Sequence, residues 1–156
     1  RQSFLISSAN CNGKGMPLRL NADCAMNGEP RLLLDTNAIV ALLQGHQGLL
    51  RRVQAASWVG ISIVDQIEFL SFSGLSDADR KLFEAFAERV DVVGLNRTDR
   101  ALLAEVASLR ARRSVKLPDA IVMASANVHG AVLVTRDDQL LRMGIDSALG
   151  CKVASF

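Results

Sequence analysis

Four acidic residues lie close to the ends of predicted strands or the starts of predicted helices: Asp35, Glu68, Asp119 and Asp137. If the fold brings them together, their like charges raise one another's pKa, and a divalent cation relieves the repulsion. Carboxylate oxygens without nearby cysteine or histidine suit hard ions such as Mg²⁺ or Mn²⁺. Such a site can activate a water molecule and hold a phosphodiester oxygen. The residue types therefore predict metal-assisted phosphodiester cleavage, provided that the four carboxylates meet.

Each acid also has a purely structural interpretation. Asp35 follows three leucines and could serve only as the N-cap of the next helix, and Asp119 could be a favourable charge at a helix N-terminus. Glu68 could be a solvated helical glutamate, in which case Asp65, one turn earlier, would be the inward acid. At positions 137–138 two aspartates are adjacent, and spacing alone does not choose between them. Only the coincidence of all four positions at one place in the fold favours a metal site.

The elements that must position these acids alternate between strand-like and helix-like patterns from Arg31 onward. The predicted strands are 31–34, 58–62, 90–95 and 131–135, with a further one in 152–156. The predicted helices are 37–44, 47–56, 64–73, one that starts with a capping box at Ser76, one capped by Thr98 that continues to Arg113, 118–128 and 138–143. Strands separated by helices predict an α/β fold with a mostly parallel sheet of four to five strands covered on both faces. Ligands of such sheets bind at the carboxyl ends of the strands, where the four acids are expected to collect.

Composition limits the class of protein. The chain has 156 residues, 49% of them hydrophobic and 22% charged, which predicts one globular domain. Its formal charge of +2 is too small to establish a nucleic-acid partner. No apolar run approaches the roughly 18 residues of a membrane span. The three cysteines lack metal-site spacing and no export signal is recognised, so we expect a cytoplasmic protein.

Residues 1–30 differ from the rest because no period of strand or helix persists in them. We predict that they form an N-terminal extension, weakly ordered or non-native, before a nuclease-like domain at residues 31–156. Met26 is one plausible natural start of translation.

Four sequence blocks carry a family resemblance: "LLLDTNAIVALL", "ISIVDQIEFL", "LPDAIVMASANVHG" and "AVLVTRDDQL". In this order they resemble the motifs of the PIN-domain ribonucleases, particularly the VapC-like toxins of type II toxin–antitoxin systems. The resemblance covers about residues 31–156, and the front extension departs from it. It implies a PIN-like, Rossmann-like three-layer α/β/α fold, cleavage of RNA with Mg²⁺ or Mn²⁺, a homodimer and a cognate antitoxin protein.

The resemblance also assigns roles to individual residues. The metal-binding and catalytic acids would be Asp35, Glu68, Asp119 and Asp137, with Asp137 rather than Asp138 in the matching position. Asn37 and Thr135 match polar positions that support those acids. Separately, the basic residues before Asp119 are candidates for binding RNA phosphates, although a solvated helix end is the favoured interpretation for any one of them. They are Arg110, Arg112, Arg113 and Lys116.

Two alternatives remain open. A degenerate PIN-like domain would act only as a protein-binding module. A phosphotransferase-type α/β protein, such as a haloacid-dehalogenase-like phosphatase, would need a second acid two residues after Asp35, where Asn37 stands. Helices 37–44 and 47–56 also carry more apolar residues than one buried face needs, so we expect part of their surface to form a groove for a helix of the antitoxin.

Overall fold

The computed structural model describes residues 29–112, 115–144 and 150–156. Nearly all of the predicted N-terminal extension, residues 1–28, lies outside the described residues. The strands are β1 (Arg31–Leu34), β2 (Trp58–Ser62), β3 (Asp91–Val93), β4 (Val132–Val134) and β5 (Lys152–Ala154). The helices are α1 (Thr36–Leu43), α2 (Gln47–Gln54), α3 (Ile63–Leu70), α4 (Asp77–Ala87), α5 (Arg100–Arg112), α6 (Leu117–Val128) and α7 (Asp138–Gly144).

The five described strands form one parallel sheet in the order β3-β2-β1-β4-β5. β1 is central, and its last residue, Leu34, is in register with Ile61 of β2 and Val134 of β4. The chain moves from β1 to β2 and β3 on one side, then crosses to β4 and β5 on the other. A change of direction of this kind opens a crevice at the carboxyl ends of the strands beside β1. The predicted parallel sheet is confirmed.

Helices cover both faces of the sheet, because alternate residues of β1 point to opposite sides. Leu33 packs into a core with residues of α5, α6 and α7, while Leu32 and Leu34 pack into a second core with residues of α1 to α4. The three leucines are 0–2% exposed, so β1 is buried on both faces, as expected of a central parallel strand. The predicted three-layer α/β/α architecture is confirmed.

Local capping explains most helix starts. The predicted capping box at Ser76 is present, since the Ser76 side chain accepts the N–H of Asp79 and the Asp79 carboxylate accepts the N–H of Ser76. The cap predicted at Thr98 is wrong. The side chain of Asn96 accepts both the N–H and the hydroxyl of Thr98, and α5 begins two residues later, with the carboxylate of Asp99 accepting the N–H of Leu102.

At the opposite end of the sheet from the acids, Trp58 is enclosed between two side chains. The guanidinium of Arg31 lies 4.7 Å from the indole centroid, and the ring of His129 stacks on the indole at a centroid distance of 5.1 Å. Gly60 is two residues along the same strand face, and a Cβ there would lie 2.3 Å from Cη2 of Trp58. The strand therefore requires glycine at position 60 to seat the indole.

None of the helices in the described part of the chain reaches the length and hydrophobicity of a membrane span.

Candidate metal centre

Asp35 is placed by the junction between the central strand and the first helix. Strand β1 ends at Leu34, and the Oδ1 atom of Asp35 accepts the N–H of Thr36 at 2.7 Å, so the residue does cap α1. Its Oδ2 atom accepts the hydroxyl of Thr135 at 2.5 Å and lies 3.4 Å from Nδ2 of Asn37. The carboxylate is only 7% exposed, which is more burial and more bonding than a cap requires.

The second acid at the site is Asp65, which the sequence analysis left as an alternative to Glu68. Asp65 is fully buried, and its Oδ2 atom accepts the N–H of Ser62 at 3.0 Å in the capping box that starts α3. Burial raises the pKa of this carboxyl well above its ordinary value, and the charge of Asp35 together with a hydrogen bond to that carboxylate raises it further, against the lowering effect of the Ser62 N–H. Asp65, which was not among the four predicted acids, therefore also lies beside Asp35.

Glu68 lies one helical turn beyond Asp65, and its exposed side chain also extends toward the carboxylate of Asp35. Its Oε2 atom accepts the hydroxyl of Thr36 at 2.8 Å, although the side chain as a whole is exposed. Asp35, Asp65 and Glu68 each offer an oxygen, and these oxygens lie within 4.8 Å of one another. The choice between Asp65 and Glu68 is thus not exclusive, because the structure brings both to Asp35.

Asp119 and Asp137 face the same end of the sheet without joining that group of three. Asp119 is the third residue of α6, and burial raises its pKa, as do the charges of Asp137 and Asp35, while Lys116 lowers it. The Oδ1 atom of Asp137 caps α7 by accepting the N–H groups of Gln139 at 2.7 Å and Leu140 at 3.0 Å. Asp35 and Asp137 thus follow β1 and β4 directly, and Glu68 lies on α3, which follows β2. Asp119 lies on α6, close enough to Asp35 and Asp137 for their charges to raise its pKa.

The two supporting positions and the neighbouring aspartate are also located. The hydroxyl of Thr135 is shared, because it donates to Asp35 and accepts the N–H of Asp137 at 2.9 Å. Nδ2 of Asn37 donates to the same Asp35 oxygen, Oδ2, at 3.4 Å. Asp138 is exposed in the first turn of α7, and its backbone carbonyl accepts Nε of Arg142. Thr135 thus links the two acids at positions 35 and 137.

This donor set fits a hard divalent cation. It consists of carboxylate oxygens, supported by hydroxyl and amide groups, as Mg²⁺ and Mn²⁺ prefer. Burial is the main cause of the raised pKa values of Asp65 and Asp119, and the charges of neighbouring carboxylates raise both values further. A bound cation would stabilise the charged form of these neighbouring carboxylates.

The four basic residues predicted to bind RNA phosphates lie in different surroundings. Lys116 is exposed at the N-cap position of α6, close enough for its charge to lower the pKa of Asp119. Arg110 donates to the backbone carbonyl of Val115, which closes the connection between α5 and α6. The side chain of Arg112 and the whole of Arg113 lie outside the described residues. Arg136, which the sequence analysis did not single out, is exposed beside Asp137 and places its guanidinium 4.2 Å from the ring centroid of Phe156.

A groove opens beside Glu68. Its apolar lining comes from Val40 of α1, from Phe69 of α3, and from Phe72 and Leu75 in the following loop. Helix α2, which was expected to contribute, instead packs Leu49 and Val53 into the core, because its apolar stripe faces the sheet. The groove therefore lies between α1 and α3 rather than between α1 and α2.

Comparison with known proteins agrees with this geometry. The family model of the PIN domain matches residues 32–146. No curated protein sequence matches the chain.

Similar solved structures include a toxin–antitoxin complex from Klebsiella pneumoniae, with 22% identity and a TM-score of 0.61 over 79% of this chain and 95% of that one. VapBC2 from Rickettsia felis, bound to a DNA fragment from its promoter, has 14% identity and a TM-score of 0.65 over 80% and 98%. DNA-bound VapBC from Salmonella typhimurium has 20% identity and a TM-score of 0.63 over 81% and 98%. At these identities the structural likeness establishes the fold.

Proposed function

The chain belongs to the PIN-domain family of nucleases, and we propose that it is a metal-dependent endoribonuclease acting as the toxin of a type II toxin–antitoxin pair. The observation that carries the proposal is the meeting of Asp35, Asp65 and Glu68 at the end of the central strand. Asp119 and Asp137 at the same end complete an acidic rim. RNA as substrate and a homodimeric assembly remain predictions of the sequence resemblance. The cytoplasmic location remains a prediction from the cysteines and from the lack of a recognised export signal.

In this proposal Asp35, Glu68, Asp119 and Asp137, joined by Asp65, hold one or two Mg²⁺ or Mn²⁺ ions directly or through water. When bound, such an ion acts as a Lewis acid toward a phosphoryl oxygen and lowers the pKa of water. The chain's own contribution is to fix the carboxylates. Asp35 is held by the N–H of Thr36 and the hydroxyl of Thr135, and Asp137 is held by the start of α7. Lys116 and Arg136 are exposed cations that can contact flanking phosphates.

The alternatives have less support. A phosphatase of the haloacid-dehalogenase type would use a second carboxylate at position 37, where the Asn37 amide lies 3.4 Å from Asp35 and supports it instead. A degenerate domain would gain nothing from the buried carboxyl of Asp65, which loses solvation and lies beside the charge of Asp35. The retained acidic rim therefore favours an active nuclease.

We propose that the antitoxin occupies the groove formed by Val40, Phe69, Phe72 and Leu75. The solved neighbours named above are complexes of a toxin with its antitoxin. The lining of the groove is mostly apolar and also includes Glu68 and Asp79, which suits an amphipathic helix. A helix seated there would also restrict access to Glu68. Binding of the antitoxin would then by itself inhibit the nuclease.

The test is cleavage of labelled single-stranded RNA by the purified chain with Mn²⁺ and with a chelator. Wild type should cut only with the metal, Asp35→Asn should not cut, and Asp138→Asn, which changes an exposed carboxylate beside the site, should behave as wild type. Metal-independent cleavage would refute the metal-dependent nuclease, and equal rates for wild type and Asp35→Asn would remove Asp35 from the proposed catalytic acids. Co-expression with the small open reading frame next to its gene tests the toxin assignment separately, through complex formation and loss of cleavage.

A further inference from the structure

Glu68 differs from the other acids in how it is held. It is exposed on α3, where a long glutamate side chain has many rotamers and loses conformational entropy when it is fixed. The structure shows a hydroxyl donor at 2.8 Å from its Oε2 atom, supplied by Thr36 of α1. A residue 32 positions away therefore directs Glu68 toward Asp35.

We propose that Thr36 is a positioning residue of the metal site, which ties Asp35 and Glu68 together through one amino acid. This inference rests on the proposed function. The backbone N–H of Thr36 donates to Oδ1 of Asp35 at 2.7 Å, while its side-chain hydroxyl donates to Oε2 of Glu68. The spacing of the two carboxylates is thereby set by the rigid covalent frame of a single threonine.

The hydroxyl proton has one preferred acceptor. A threonine hydroxyl carries a single proton, and Oγ1 of Thr36 lies 2.8 Å from Glu68 but 3.4 Å from Oδ1 of Asp65. The shorter contact takes the proton. Because Thr36 engages Oε2, the other carboxylate oxygen of Glu68 stays available for a cation.

Threonine suits this role better than a more flexible donor. Its branched Cβ restricts χ1, and its position as the first residue of α1, directly after the Asp35 cap, fixes the backbone. A valine has nearly the same shape without the hydroxyl, and a serine keeps the hydroxyl without the methyl group. The two substitutions therefore separate packing from hydrogen bonding.

The experiment measures Mn²⁺ affinity by isothermal titration calorimetry, with RNA cleavage as a second readout. Thr36→Val should weaken Mn²⁺ binding about tenfold, as is typical when a group that orients a metal ligand is removed. Thr36→Ser should stay within about twofold of wild type. In a Glu68→Ala background, Thr36→Val should cause no further loss, because the residue acts through Glu68. Circular dichroism melts in chelator confirm that each variant is folded.

Three results would overturn the inference: unchanged Mn²⁺ affinity in Thr36→Val, a loss in Thr36→Ser as large as in Thr36→Val, or a full additional loss in the Glu68→Ala background. If Thr36→Val does not fold, Thr36→Ala in the same cycle decides. Wild type that binds Mn²⁺ but leaves RNA intact would refute the proposed function alone. Wild type that binds no Mn²⁺ would overturn both.

Discussion

Replacing Asp65 with asparagine removes the buried carboxyl that links folding to pH. Burial raises its pKa in the folded state, and the nearby charge of Asp35 raises it further. Between the unfolded pKa of about 3.9 and the raised folded pKa, the native state holds more protons than the unfolded state. The stabilisation is therefore fully present below the unfolded pKa and is lost as pH rises through the folded pKa. Asparagine has nearly the same shape, and its oxygen can accept the Ser62 N–H, so the variant should keep the capping box without the titration.

The size of the pH effect on stability follows from the number of protons bound at Asp65, which differs by at most one between the folded and unfolded states. Within that pH window the metal-free wild type should lose up to about 1.4 kcal/mol of unfolding free energy per pH unit relative to Asp65→Asn. For a chain of this size, a change of 1 kcal/mol moves Tm by about 2–4 °C, so the gap between the two proteins should widen by about 3–6 °C per pH unit. Asp119, whose pKa is also raised, acts in the same direction in both proteins and largely cancels in the comparison.

The assay is a series of thermal melts from pH 4 to pH 8 in chelator. Asp77→Asn makes the same chemical change at an exposed acid in the first turn of α4, so its melting curves should run parallel to those of wild type. With Mn²⁺ at pH 8, wild type should regain stability, by about 2.7 kcal/mol at a hundredfold excess over Kd, and Asp65→Asn should regain less. A wild-type minus Asp65→Asn difference that stays flat from pH 4 to pH 8 would refute the reasoning about the buried carboxyl.

Three further outcomes are expected. Asp35→Asn should melt close to wild type, since asparagine caps a helix about as well as aspartate, but RNA cleavage should fall about a hundredfold or more; an active variant would reduce Asp35 to a cap. Asp137→Asn should lose cleavage while Asp138→Asn keeps it, and the reverse pattern in the RNA assay would exchange their roles. Gly60→Ala should lower the unfolding free energy by about 1–3 kcal/mol in denaturant titrations because its Cβ would overlap Trp58, and a neutral result would mean that the indole moves freely.

The sequence alone was sufficient for the fold class and for most of the helices and strands. Three consecutive leucines before Asp35 indicated a strand buried on both faces, and strands separated by amphipathic helices indicated a parallel sheet. These signals are local, because each element carries its own periodicity and caps. The same local signals misplaced the start of α5. The side chain of Asn96 accepts the N–H and the hydroxyl of Thr98, so Thr98 does not cap the helix. Which strand neighbours β1 was not local information, and that arrangement brings Thr135 to Asp35 across 100 positions.

The composition of the acidic rim was decided by tertiary structure. Asp65 and Glu68 are three residues apart on one helix, so helical periodicity places both on nearly the same face and cannot choose between them. Packing makes the distinction: the first turn of α3 is enclosed, so Asp65 is fully buried, while Glu68 one turn later stays exposed and returns to the site through Thr36. The sequence therefore determined which residue types could bind a cation. Only the packing of α3 against α1 decided which carboxylates meet, because burial and hydrogen-bond partners depend on residues far apart in the chain.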